Sequence, residues 1–250
     1  MFVLLLRPHF HKCMLTASCF PLPDDEATRL HSLRAFDVLP SLSEPVFDEY
    51  VALTARIFSL PISLISVVEE NDVYYPANHG MPGNDQQPRT EAICSTAIEQ
   101  ARAVVYYDLT LETSDSIPPE ALRAALDNEL RFYAGALLLL PDQRPLGTLC
   151  IIDRQARTFS ADEQHILELL AALVSQTIAV RHLCLANPDM GTLRWERLGG
   201  ELQEEVQALN ALVRYVAARH GTVVPVPAAF LTQVESRIHD LQELLNEYRP

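Results

Sequence analysis

Cys94 is the residue of this chain whose type and position most readily suggest chemistry. It falls in the first turn of a short helical stretch, Glu91 to Gln100, and a helix start lowers a thiol's pKa, so a redox-sensing thiolate is one reading. The other is a small hydrophobe that packs a helix on a sheet. Cys150 lies mid-strand in an apolar run, where an inert core thiol is expected. Arg89, ahead of the Cys94 helix, pairs with Asp108 or Asp153 at strand ends, or clamps a ligand anion. The five cysteines, Cys13, Cys19, Cys94, Cys150 and Cys184, show no CxxC or Cys/His spacing for zinc. Reduced thiols of a cytoplasmic protein are the expectation. No Ser/His/Asp set and no glycine-rich phosphate loop is present, so no catalytic residue and no metal ligand is assigned.

The elements that must position these residues centre on RFYAGALLLLPDQRPLGTLCIIDRQARTFSADEQ, Arg131 to Gln164. It predicts a strand from Phe132 to Leu140, a turn at Pro141-Asp142, a second strand from Gly147 to Asp153, and a helix capped by Ser160 with Glu163 three residues on. Both strands are nearly continuous in hydrophobicity, so both faces should be covered. Upstream, Leu30, Leu33 and Phe36 share a helix face that Pro40 ends, and a second helix opens at Ser43. ISLISVVE and Val73 to Asn78 form a strand pair, residues 81 to 89 a loop, Ala103 to Tyr107 a short strand, and Pro118 to Leu126 a helix. A long helix runs from Ala161 to about Cys184. About six strands joined by turns predict a mostly antiparallel sheet in an α+β domain.

RFYAGA followed by LGTLCIID, with PISLISVVEEND and PRTEAICSTAI upstream, resembles the bacterial GAF sensor-domain family over roughly residues 24 to 184. The resemblance implies a six-stranded sheet with flanking helices that holds a small ligand between the sheet and the loops and helices over one face. The matching positions are Tyr75, Arg89, Cys94, Asp108, Arg131, Tyr133 and Asp153. The cofactor is unknown. No Asn-Lys pair marks cyclic nucleotide binding, and Ser95 follows Cys94 where a bilin-attaching relative has His. Haem would need an axial ligand beyond His79, which lies in a turn. One branch of the fold reduces free methionine sulfoxide with paired thiols. Cys94 and Cys150 could approach each other, but they do not match that branch's arrangement.

The C-terminal part has a different pattern. Leu202, Val206, Leu209, Val213 and Val216 make one heptad seam, and Leu231, Val234, Ile238, Leu241 and Leu245 make another. Two narrow seams on one hairpin predict a homodimeric four-helix bundle. WERLGGELQEEVQALNALVRYVAARH with FLTQVESRIHDLQELL resembles the dimerisation hairpin of HWE-like histidine kinases, with Glu204 where that family has its phosphoacceptor His. The expected organisation is a disordered leader at 1–23, a GAF domain at 24–185, a linker at 186–200 broken by Asn187-Pro188 and Gly199-Gly200, and the hairpin at 201–250.

The function this implies is non-catalytic sensing coupled to a dimerising hairpin. A thiol redox sensor or reductase using Cys94, and a scaffold for a response regulator or sensor kinase, are the alternatives. The net charge of -14 argues against nucleic acid and anionic lipid. FVLLL at the N-terminus is too short for a signal peptide, and no run approaches the length of a membrane span.

Overall fold

The apolar run beginning at Phe132 pairs with the run ending at Asp153 through a continuous antiparallel ladder, Phe132 opposite Asp153 and Leu138 opposite Gly147. The computed structural model describes residues 26–36, 38–81, 83, 85–186, 191–220 and 224–248. The leader at 1–23, Cys13, Cys19 and the Asn187-Pro188 break lie outside the described residues. Helices α1 (Glu26–Ala35), α2 (Val38–Ser41) and α3 (Pro45–Ile57) lead into strands β1 (Ile62–Val68) and β2 (Asp72–His79). Next come β3 (Gln86–Pro88), a 3-10 turn at Arg89–Glu91, α4 (Cys94–Gln100), β4 (Val104–Tyr106) and α5 (Pro119–Asp127). Then β5 (Phe132–Leu139), β6 (Pro145–Asp153), α6 (Ala161–Leu185), α7 (Gly191–His220) and α8 (Ala228–Asn246) complete the order.

The strands form one sheet in the order β3-β2-β1-β6-β5-β4, every neighbour antiparallel. The α+β class and the central hairpin are as the sequence predicts. Gly147 lets β6 lie close to β1, because a Cβ there would stand 1.7 Å from the Ser66 carbonyl oxygen. Ser160 accepts from the Glu163 N–H while the Glu163 carboxylate accepts from the Ser160 N–H, the capping box read from the sequence. Locally, three expectations are corrected. The 81–89 loop contains β3, Pro40 lies inside the short α2, and the helix expected from Glu91 starts at Cys94 after a 3-10 turn.

The larger correction concerns the C-terminal part. Residues 191–200 are the first turns of α7, not a linker, and Gly199 and Gly200 are helical. Each glycine costs a helix about 1 kcal/mol. Burial of Trp195, Leu198 and Leu202 in the main core outweighs that cost. The seam residues Leu202, Val206, Leu209, Val213, Leu231, Val234, Ile238, Leu241 and Leu245 are all buried, with Val216 half-buried. They share one core with α3, α6 and the helix-side residues of the sheet. Helix α7 lies on α3 and α8 on α6. The four-helix arrangement expected from two copies is therefore assembled within one chain, and the uncovered seams that argued for dimerisation are already covered. Polar contacts pin it. Asn210 accepts from Arg56 at 2.6 Å and donates to Glu49 at 2.9 Å, and the Trp195 indole donates to Glu44 at 2.7 Å.

One described helix, α6, is long and apolar enough to cross a bilayer, contrary to the sequence expectation. Most of its apolar stretch is buried inside the molecule, against β5 and α8.

Candidate functional site

Alternation along the strands divides the core in two. Phe132, Ala134, Leu149 and Ile151 face the long helices, whereas Tyr133, Cys150 and Ile152 face α4 and α5. A bulge changes the outcome on β2. Ile65 pairs with Ala77 and Val67 with Tyr74, so β2 carries one extra residue. Val73 and Tyr75 consequently face α4, while Ala77 faces the long helices despite its matching parity.

The face under α4 carries a row of hydroxyls and thiols. The Ser66 and Thr148 hydroxyls lie 2.9 Å apart, and the Tyr133 hydroxyl is 3.4 Å from that of Thr148. Cys94, at the start of α4, lies in one buried cluster with Cys150 and Tyr133, and the Cys150 thiol and the hydroxyls of Tyr133, Ser66 and Thr148 are near enough to act on its titration. Those donors lower the Cys94 pKa, the Cys150 contact most, and burial opposes them. Cys150 moves well up, because the neighbouring Cys94 and its own burial disfavour a second thiolate. Tyr75 and Tyr133 are pushed well above the usual phenol value, by burial first and then by the two neighbouring sulfurs.

A narrow cavity of about 40 Å³ opens beside this row. Leu64, Tyr75, Cys94, Tyr133 and Ile152 line its interior, and the exposed Glu91 and Asn128 stand at its mouth. A water needs about 10–15 Å³ of such space, so the cavity takes about three water-sized molecules.

Of the seven predicted pocket residues, Tyr75, Cys94 and Tyr133 come together here. Arg89, Asp108, Arg131 and Asp153 do not line the cavity. The expected pairing of Arg89 with Asp108 or Asp153 is corrected. Arg89 follows β3 at one edge of the sheet and Asp108 follows β4 at the other, so strand order separates them. Arg89 instead binds Glu26 at 2.5 Å, and Glu26 also holds Arg29 at 2.7 Å. Asp108 takes a two-pronged bond from Arg131, at 2.8 and 2.6 Å, which holds its carboxyl far below the usual range. The Asp153 carboxylate caps the Gln155 N–H. Ser66 and Thr148 escaped the sequence reading. The available signal was strand parity, since Thr148 lies two residues before Cys150 in an otherwise apolar strand.

A model of the GAF domain family matches residues 39–179, more than half of the chain, and the chain belongs to that family. Among individual relatives, it is 31% identical over 159 residues to a protein named as a cyclic di-GMP phosphodiesterase of Pseudomonas aeruginosa. That match covers 63% of this chain and 26% of the relative, so the chain spans about a quarter of the relative's length. Among solved structures, it is similar to the GAF domain from an Acinetobacter phosphoenolpyruvate-protein phosphotransferase, with a TM-score of 0.46, 17% identity, and coverage of 64% of this chain and 98% of the other. It is also similar to the blue-light absorbing form of the Thermosynechococcus elongatus PixJ GAF domain, with a TM-score of 0.46, 14% identity, and coverage of 65% and 92%. Membership of that family gives the chain a sensor-type role in signalling.

Proposed function

We propose that this chain is a non-catalytic sensory unit in which the α4 face of the sheet receives the input and the docked α7–α8 hairpin delivers the output. The observation that carries this reading is a buried charge node joining the two. The Arg157 N–H donates to the Tyr107 carbonyl, one residue after Tyr106 of β4, which packs in the cluster under α4. Its guanidinium donates to the Phe58 carbonyl at the end of α3 and to Glu163 at 2.7 Å. Glu163 in turn accepts from the Val226 N–H at 3.2 Å, just ahead of α8. A shift of the loop after β4 therefore reaches the hairpin through two hydrogen bonds and one ion pair, with a third hydrogen bond tying the node to α3.

Filling the cavity tests the idea. Ala125→Leu should change amide exchange in residues 226–245 as well as beside the cavity. Changes confined to residues 86–130 would sink it. The Pseudomonas relative's name makes cyclic di-GMP signalling the first setting in which to look for such an output.

The hairpin's likeness to a kinase dimerisation module enters as a partner surface. Glu204, at the phosphoacceptor position, is exposed on α7. With the apolar seams buried, a second copy, a response regulator or a sensor kinase would meet this outward acidic face. Glu204→Lys should weaken a response-regulator or kinase pull-down without altering the melting temperature, and an unchanged pull-down would remove this face as the contact.

A further inference from the structure

We infer that Cys94 and Cys150 form a dithiol that reacts with small peroxides, Cys94 as the attacking thiol and Cys150 as the resolving one. This goes beyond the sensory reading, and it holds or fails whatever the hairpin does.

Three observations on the page converge on this pair. First, α4 packs on β6, and the two thiols sit in one buried cluster across that contact, near enough for each to act on the other's titration. Second, their access differs in the sense the chemistry requires. Cys94 lines the cavity, whereas Cys150 is completely buried behind it and does not. Third, the hydroxyls of Ser66, Thr148 and Tyr133 form a linked row on the face of the sheet that Cys94 packs against, and hydroxyl donors stabilise a thiolate in a site with no cation among its described lining residues. The two tyrosines beside it keep their protons and remain donors.

The cavity also selects the oxidant. Room for about three waters admits hydrogen peroxide, which is about the size of two, and excludes a methionine sulfoxide or an aromatic hydroperoxide. In the first step the Cys94 sulfur attacks one peroxide oxygen. The S–O bond forms and the O–O bond breaks. The sulfur loses two electrons to the peroxide, and the departing hydroxide leaves as water with the proton of the Cys94 thiol. In the second step the Cys150 sulfur attacks Cys94 Sγ. The S–S bond forms, the S–O bond breaks, and hydroxide leaves as water with the Cys150 proton. Two thiols and one peroxide give one disulfide and two waters. The product ties α4 to β6 by a covalent bond where packing alone now joins them.

Peptide mapping of the wild-type chain without reduction, after treatment with equimolar hydrogen peroxide, tests this directly. The expected result is one cross-linked peptide joining Cys94 to Cys150 and a mass lower by two hydrogens. In Cys150→Ser the reaction should stop at a Cys94 sulfenic acid, read in the intact mass as a gain of one oxygen. Cumene hydroperoxide should react about tenfold more slowly or less, because it does not fit the cavity. The inference is overturned if both thiols stay free while glutathione in the same tube is oxidised, or if the cross-link joins other cysteines. Equal rates for the two peroxides would overturn the size selection. None of these readouts depends on the hairpin, so they separate this proposal from the sensory one.

Discussion

On one side of the sheet, α3, α6, α7 and α8 close over apolar seams, and α7 alone runs 30 residues. On the other, α4 and α5, of 7 and 9 residues, cover a row of hydroxyls and thiols and leave a cavity. The difference is one of tolerance. A close-packed apolar layer holds its shape because every side chain has partners on all sides, and a deleted methyl is felt. A polar row held by hydrogen bonds of about 1 kcal/mol each can change partners at small cost. The two faces thus divide rigidity from responsiveness within one sheet.

Four substitutions break or sharpen that contrast. The largest effect is expected at the node between the faces. Glu163→Ala leaves the Arg157 guanidinium buried without its carboxylate, which should cost about 3–5 kcal/mol in urea unfolding. A loss below about 1 kcal/mol would mean that the node does not clamp the hairpin. Next, Ile238→Ala in the α8 seam should cost about 3 kcal/mol, since its side chain is completely buried in the large core. Exchange around Cys94 should change less than exchange in α8, and an equal loss of protection there would erase the division. On the polar face, Thr148→Val removes the hydroxyl that bridges Ser66 and Tyr133 and should cost about 1 kcal/mol. It should also slow alkylation of Cys94 near neutral pH, because one donor to the thiolate is gone.

The smallest effect concerns Glu26, at the edge of both faces. Burial raises its carboxyl pKa, but hydrogen bonds from Arg29 and Arg89 outweigh that and hold it below its ordinary value. A lowered carboxyl stabilises the fold above the unfolded value, about 4.3, and the stabilisation is lost as pH falls through the folded one. Glu26→Gln should therefore lower stability across the neutral range and converge on the wild type in acid, which flattens the acid limb of a stability-versus-pH curve. A wild-type acid limb in the variant would assign the titration to other carboxylates.

Local features were legible in the chain. The β5–β6 hairpin, the capping box at Ser160 and both heptad seams can be read within windows of a few turns, where neighbouring residues decide the outcome. What was not legible depends on strand order. Arg89 finds Glu26 because β3 lies at one edge of the sheet, and Ser66 meets Thr148 because β6 inserts beside β1, 82 residues away in sequence. A bulge on β2 aims Tyr75 at the cavity, and parity alone gives no warning of it. The seams were read correctly as buried but assigned to a second copy. A heptad pattern states how wide an apolar stripe is and is silent about what covers it. Nothing local announces that Trp195 and Leu198 extend the α7 seam through two glycines.

The chain has a single tryptophan, Trp195, and the fold places it where α7 leans on Glu44 and Arg181. Its indole is sheltered now and would meet solvent if the hairpin lifted away. Unlabelled protein therefore carries its own optical gauge: a red shift in emission under an added stimulus would time the release of the helices in real solution.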